Sequence, residues 1–267
     1  MKVRSFGRPV GPQWGGFALR SAKTCVLLAI MMVAGTFVVG CTPRPEPAVA
    51  PAVVRAAHAV APACRAALNV RVQPEGGEAT TLTLHVWADH DGALRLKVAK
   101  LDVDVLDLLI AADGTYLAWA PRSHEQATGR ISDADTPALL DRLTLVASEL
   151  THGPLPDGIA TTAKDGQLWW IQDGATVSLT ANLDGQAIAK RIAHPTLGVL
   201  DITYGAYQDF EGLRRAKRLH VIGLGLEATA VVRQLDPVPA ISPAGMRVEP
   251  AADAPVIPIA VLLEHLA

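Results

Sequence analysis

The chain has 267 residues, half of them hydrophobic and only 4% aromatic, with 24 Lys+Arg against 26 Asp+Glu and a formal charge of −2. That length is ample for a folded core; the apolar share excludes a chain disordered throughout, three cysteines exclude a disulfide scaffold, and the charge gives no electrostatic case for a nucleic-acid partner. Every acidic residue lies beyond residue 40, so the near-neutral total hides a basic leader carrying Lys2, Arg4, Arg8, Arg20 and Lys23, and an acidic remainder.

The leader continues into the apolar run Cys25 to Val39, shorter than the roughly 20 residues of a membrane span. A basic stretch, a short apolar stretch and a small-residue site read as a secretory signal. The tetrapeptide Val38-Val39-Gly40-Cys41 resembles the bacterial lipobox. That resemblance implies a signal peptide over residues 1–40, cleavage before Cys41, and diacylation of Cys41 as the first mature residue. Two or more acyl chains hold a protein firmly to a bilayer, whereas one gives only marginal residence. By the same resemblance Thr42, where an Asp would favour the inner membrane, implies the outer membrane, with the domain facing the periplasm or the cell surface. With Cys25 removed and Cys41 lipidated, Cys64 has no intramolecular partner and reads as a buried small hydrophobe in preference to a dimerisation point.

Residues 41–66 read as the lipidated cysteine and a Pro/Ala-rich tether. Prolines 43, 45, 47 and 51 make an extended spacer. The Ala-rich segment 53–67 has helical composition, interrupted by Pro62. From Leu68 the period becomes two: Leu68, Val70 and Val72, then Leu82, Leu84 and Val86, then Leu94, Leu96 and Val98 alternate with polar neighbours, as in half-buried antiparallel strands. Asp-Gly pairs at 91–92, 113–114, 157–158, 165–166, 173–174 and 184–185 supply hairpin turns. Further strands are expected over 103–111, 115–120, 124–129, 159–164, 167–172, 176–183, 187–193, 197–207, 217–223 and 225–234.

One helix is expected over 136–152. Thr136 caps it, Pro137 fits its first turn and Gly153-Pro154 ends it. Leu139, Leu143, Val146 and Leu150 form its apolar stripe. A single helix among many strands must lay that stripe on a sheet. The expected fold class is therefore mainly β (α+β), a strongly curved antiparallel sheet with a helix packed on its concave face. The β domain spans 67–235, and 236–267 is a Pro-rich extension that either docks on the body or reaches a partner.

The segment 94–129 (LRLKVAKLDVDVLDLLIAADGTYLAWAPRSHEQATG) is the most informative. Its strand 103–111 is apolar on both faces, as in a double-sided core strand or the wall of a ligand cavity. The order of signal peptide, lipobox, tether, meander and helix resembles the LolA/LolB class of lipoprotein carriers and receptors over roughly residues 65–235. That resemblance implies an unclosed half-barrel whose hollow accepts acyl chains, no enzymatic activity and no cofactor. Leu84, Leu96, Leu106, Leu108, Ile110, Leu139, Leu143 and Val146 would line the hollow. Leu101 would be the exposed leucine on the loop between two strands. The implied partners are a membrane, through the anchor, and acyl chains of lipid or of other lipoproteins.

Other residue groups point to less. Asp89, His90 and Asp91, with Asp102, Asp104 and Asp107, lack the remaining ligands of a calcium loop, so no metal is expected. The histidines show no zinc spacing, and there is no Gly-x-Ser-x-Gly elbow. Gly223-Leu224-Gly225 reads as a bulge or hairpin bend. Trp169 and Trp170 point to opposite faces of one strand. Arg214, Arg215, Lys217 and Arg218 read as a solvated strand edge, or as a contact for anionic headgroups. The rivals to a lipid-binding lipoprotein are a structural or protein-binding envelope lipoprotein of the same fold without lipid cargo, and a hydrolase whose His and Asp residues meet only in three dimensions.

Overall fold

The computed structural model describes residues 49–58, 60–133, 149–150, 153–156, 158–172, 174–195, 198–223 and 225–265. Residues 41–48, Cys41 among them, and Leu139, Leu143 and Val146 lie outside the described residues. Of the predicted helix 136–152, Glu149 and Leu150 are described, and both are helical.

The chain forms α1 (Pro51–Ala57), then β1 (Ala63–Pro74), β2 (Thr80–Asp89), β3 (Leu94–Lys100), β4 (Val103–Ile110), β5 (Thr115–Ala120) and β6 (Glu125–Arg130). After the connection come β7 (Thr162–Lys164), β8 (Gln167–Gln172), β9 (Ala175–Ala181), β10 (Ala187–His194), β11 (Gly198–Phe210), β12 (Leu213–Gly223) and β13 (Leu226–Val238), and finally α2 (Ile259–His265). The fold is mostly β. The strands make one antiparallel sheet in the order β6-β5-β4-β3-β2-β1-β13-β12-β11-β10-β9-β8-β7. The first and last strands therefore pair in the middle, over twelve partnered positions from Ala63 opposite Val238 to Pro74 opposite Leu226. The sheet is unclosed, and its two edges, β6 and β7, are joined by the segment 131–161.

Alternation gives the sheet an apolar inner face and a polar outer one. One inner row runs Ala118–Leu108–Leu96–Val86–Ala66–Leu235 across six strands. Another runs Val72–Ala228–Val221–Ile202–Lys190–Leu179–Leu168. The buried side chains form two clusters, one over β1–β6 and one over β8–β12. Cys64, fully buried in the first, has its thiol pushed up to about 12 by burial, so it stays protonated and acts as a small hydrophobe.

The Asp-Gly pairs at 91–92, 113–114, 165–166 and 184–185 sit between neighbouring antiparallel strands, as their turn chemistry predicts. Gly185 has a second reason to be glycine: a Cβ there would lie 2.4 Å from the Val53 carbonyl oxygen of α1. Gly223 ends β12 in a hairpin bend where a Cβ would lie 2.1 Å from the Val199 carbonyl oxygen.

Two expectations need correction, and one open alternative is decided. The Ala-rich segment is helical only over Pro51–Ala57, and β1 begins at Ala63, inside the stretch read as tether. Alanine at 63, 66 and 67 gives a strand no alternation that composition can reveal. The basic run lies on β12, where Arg214 and Arg215 pair with β11 alone and Arg218 pairs with both β11 and β13; Arg214, Lys217 and Arg218 are exposed, as a solvated run requires, and Arg215 is the exception. Arg215 is only 3% exposed, because β12 starts at Leu213 and turns that side chain inward. The C-terminal extension docks. Gln126 N–H of β6 donates to Pro255 O at 3.0 Å, and Ile257 N–H donates to Gln126 O at 2.8 Å. Ile259, Leu262 and Leu263 of α2 then join the cluster over β1–β6. An otherwise open sheet edge is covered at that point.

Candidate functional site

The inner face is the natural site, since it is the surface that an unclosed sheet presents to a ligand or a lid. Leu96, Leu106, Leu108 and Ile110 of the predicted lining lie there, each no more than 3% exposed. Leu84 packs beside them, partly buried. The register explains the convergence: Leu84 faces Val98, Val98 faces Leu106, Leu96 faces Leu108 and Leu94 faces Ile110. These side chains share a cluster with Leu150 and with α2. The strand predicted over 103–111, observed as β4, is largely buried on both faces, with Val105 and Asp107 buried and Leu109 half-buried. Leu106, Leu108 and Ile110 point in, while Asp107 points out and is held in an ion pair with Arg95.

Leu101 is the opposite case. It is 89% exposed at the tip of the β3–β4 hairpin, with Val103 beside it at 54%. Leu101 and Asp102 have φ of 51° and 62°, so the two-residue turn has the left-handed geometry that favours Asn-Gly. Each L-residue there costs roughly 1 kcal/mol relative to glycine.

Sequence reasoning missed a polar knot on the inner face. Lys190 is the single charge in its row, flanked by Ile202 and Leu179. Its ammonium pairs closely with Glu149, and Tyr204 O–H donates to the other Glu149 oxygen at 2.8 Å. The ammonium also lies 5.5 Å from the Trp170 ring centroid. All three polar side chains are buried. Arg215 Nε–H donates to the Leu150 carbonyl at 3.2 Å. Three sheet strands, β10, β11 and β12, thus grip the helical residues 149 and 150 by both side chain and backbone. Burial first, and then the Glu149 charge, pushes the Tyr204 phenol well above its ordinary range, so it remains a donor.

His58 closes the knot. Its Nδ1–H donates to the Arg214 carbonyl at 3.3 Å, and its ring meets Tyr207 at 5.6 Å between centroids. Nε2 is buried without a hydrogen-bond partner among the described residues. Burial, and secondarily the Arg215 charge, lowers its pKa from 6.5 to about 4. The cavity lined by His58, Glu149, Tyr204, Tyr207 and Arg215 measures about 20 Å³, far too small for an acyl chain. The unfolded chain binds a proton at His58 below about pH 6.5 and the folded chain only near pH 4. Stability is therefore expected to be flat above pH 6.5 and to fall between 6.5 and 4, by roughly 2–3 kcal/mol. Urea midpoints across that window check this, and His58→Gln should flatten the slope.

The remaining sequence candidates have structural partners. Asp104 pairs with Lys97, Asp89 accepts from Ala93 N–H at 2.8 Å, and Trp170 is buried inward while Trp169 is half-exposed outward. Among the described residues no three His, Cys, Asp or Glu side chains gather as a metal site. No helix among them is long and apolar enough to cross a membrane.

No protein-family model matches the chain, and no curated protein sequence matches it. Solved structures resemble it in fold. A LolA superfamily protein from Nitrosomonas europaea is 9% identical with a TM-score of 0.49, over 76% of this chain and 99% of that one. A DUF1329 family protein from Desulfovibrio piger is 12% identical with a TM-score of 0.47, over 70% of this chain and 90% of that one. An uncharacterized conserved protein from Thermus thermophilus is 8% identical with a TM-score of 0.37, over 77% of this chain and 94% of that one.

Proposed function

We propose that this protein is a non-enzymatic envelope lipoprotein, anchored to the outer membrane through Cys41, that receives acyl chains of lipid or of other lipoproteins on the inner face of its sheet. The observation that carries this reading is the unclosed sheet itself. Its inner face is aliphatic in rows that cross strand after strand, and hydrocarbon is the ligand such a face recognises. Carriage needs no catalytic group, only apolar side chains and a cover that opens. Each methylene moved from water contributes about 0.8 kcal/mol, and part of that is spent on ordering the ligand.

Leu101 supports the transfer step. An exposed leucine on a strained hairpin tip, with Val103 beside it, fits insertion into a bilayer surface. In a fluorescence assay, cis-parinaric acid should bind the protein saturably and pass to phosphatidylglycerol vesicles. Leu101→Glu should leave binding unchanged and slow transfer about tenfold, a loss of one modest apolar contact with lipid. The double replacement Leu101→Asn, Asp102→Gly should raise stability by about 1–2 kcal/mol while slowing transfer equally. Failure of the probe to bind would count against the reading.

One observation favours the second reading, a structural or protein-binding lipoprotein without cargo. Ile259, Leu262 and Leu263 of α2 already pack in the cluster that holds Leu96, Leu106 and Leu108. On that reading α2 fills the place of a ligand, and the probe would bind only after α2 is removed.

A further inference from the structure

The outer face of β3–β5 carries an open cleft of about 530 Å³. Its floor presents Arg95, Lys97, Asp104, Asp107 and Trp119. Its opposite wall is the loop after β13, with Pro243, Arg247 and Glu249. The wall is fixed to the floor, because Arg95 donates from its third nitrogen to the Gly245 carbonyl at 3.0 Å.

The charges in this cleft are paired among themselves. Arg95 grips Asp107 with two parallel bonds of 2.9 and 2.7 Å, and its guanidinium lies 5.2 Å from the Trp87 ring centroid. Lys97 holds Asp104 at 2.8 Å, and Arg247 holds Glu249 at 3.0 Å. Three cations therefore face three anions.

We infer that this cleft binds a neutral saccharide. An ionic ligand that competed for Arg95 or Asp107 at the floor would have to break a pair deep enough that the abandoned partner would be left largely desolvated. Neutral hydroxyls need break nothing. Lys97 commits one of its three N–H groups to Asp104. Asp104 and Glu249 each hold their cation through one carboxylate oxygen, and the other oxygen can accept from a hydroxyl. Charge-assisted bonds of this kind are the strong ones, and locking the side chains beforehand removes the cost of ordering them. Trp119, half-buried, lies with Pro121 and Pro243 in the same lining. They are the apolar part of the lining, and the Trp119 ring, in edge contact with His124 at 5.5 Å between centroids, is the aromatic surface against which the C–H face of a sugar ring would pack. The volume falls within the range of small-ligand sites.

The test is calorimetric titration of the full chain with chitotriose and, separately, with maltotriose. Saturable binding of at least one is expected, changing less than twofold between low and high salt, since no net charge is exchanged. Trp119→Ala should weaken it about tenfold, and Asp104→Ala and Arg247→Ala severalfold each, the scale of one lost contact. The last two side chains are 46% and 72% exposed, so those variants remain informative if Trp119→Ala fails to fold. Binding of neither trisaccharide at tens of millimolar, or binding indifferent to all three variants, would overturn the proposal. Binding that collapses with salt would point instead to a charged ligand and overturn it equally. The cleft lies on the face opposite the acyl-binding surface, so either result leaves the parinaric acid assay to be judged separately.

Discussion

Replacing Lys190 by methionine is expected to lower the unfolding free energy by about 3–5 kcal/mol, the usual cost of stripping one partner from a buried ion pair. The methionine itself suits the apolar row between Ile202 and Leu179. The cost lies with Glu149, which keeps its bond from Tyr204 but is left as a charge in an oily surround. Glu149→Gln should cost a comparable amount by leaving the ammonium unmatched. The double change Lys190→Met, Glu149→Leu should recover most of the loss, because a buried pair contributes little beyond what a well-packed apolar pair would. Urea melts with an unchanged slope would show that stability alone has moved. A loss under about 1 kcal/mol for Lys190→Met would mean that water reaches the pair. The pair also has a topological role. Residues 149 and 150 belong to the connection between the two sheet edges, so losing the pair should loosen that connection first.

Leu262→Ala is expected to cost about 2–5 kcal/mol, the range for a leucine truncated in a close-packed core. Leu262 is fully buried, whereas its neighbour Val261 is 36% exposed. Val261→Ala should accordingly shift the midpoint little. The contrast matters because α2 lies at the end of a Pro-rich tail that composition alone leaves unassigned. If α2 is part of the core, Leu262→Ala will melt the sheet cooperatively. If the two substitutions have equal and small effects, α2 is a dispensable appendage and the cluster over β1–β6 is complete without it.

The strands were legible because alternation survives wherever one face is buried and the other wet. Leu94, Leu96 and Val98 against Arg95 and Lys97 place β3 without ambiguity, and the Asp-Gly turn at 91–92 places β2 beside it. Leu101 is singled out by the resemblance alone; no alternation or turn signal in Lys100-Leu101-Asp102 marks it, and the structure adds that it is 89% exposed. The sheet order was harder to read. Nothing local in Ala63–Pro74 or Leu226–Val238 announces that these strands pair, since pairing across the whole chain depends on register and not on composition. The polar knot was invisible for a related reason. Lys190 stands in a strand reading Ala-Lys-Arg-Ile, where alternation alone cannot tell which of two adjacent cations turns inward. Its partner Glu149 lies 41 residues away. Arg215 was misread because charge runs are normally solvated, and only the start of β12 at Leu213 turns it in. The outer cleft needed the docked tail to exist at all.

Native mass spectrometry of the protein isolated from the membranes of expressing cells tests the central claim most directly. The expected result is a protein mass carrying the acyl modification on Cys41, together with a dissociable lipid or lipopeptide adduct that collisional heating removes. A protein that is consistently free of adduct, from several preparations and under gentle ionisation, would contradict it.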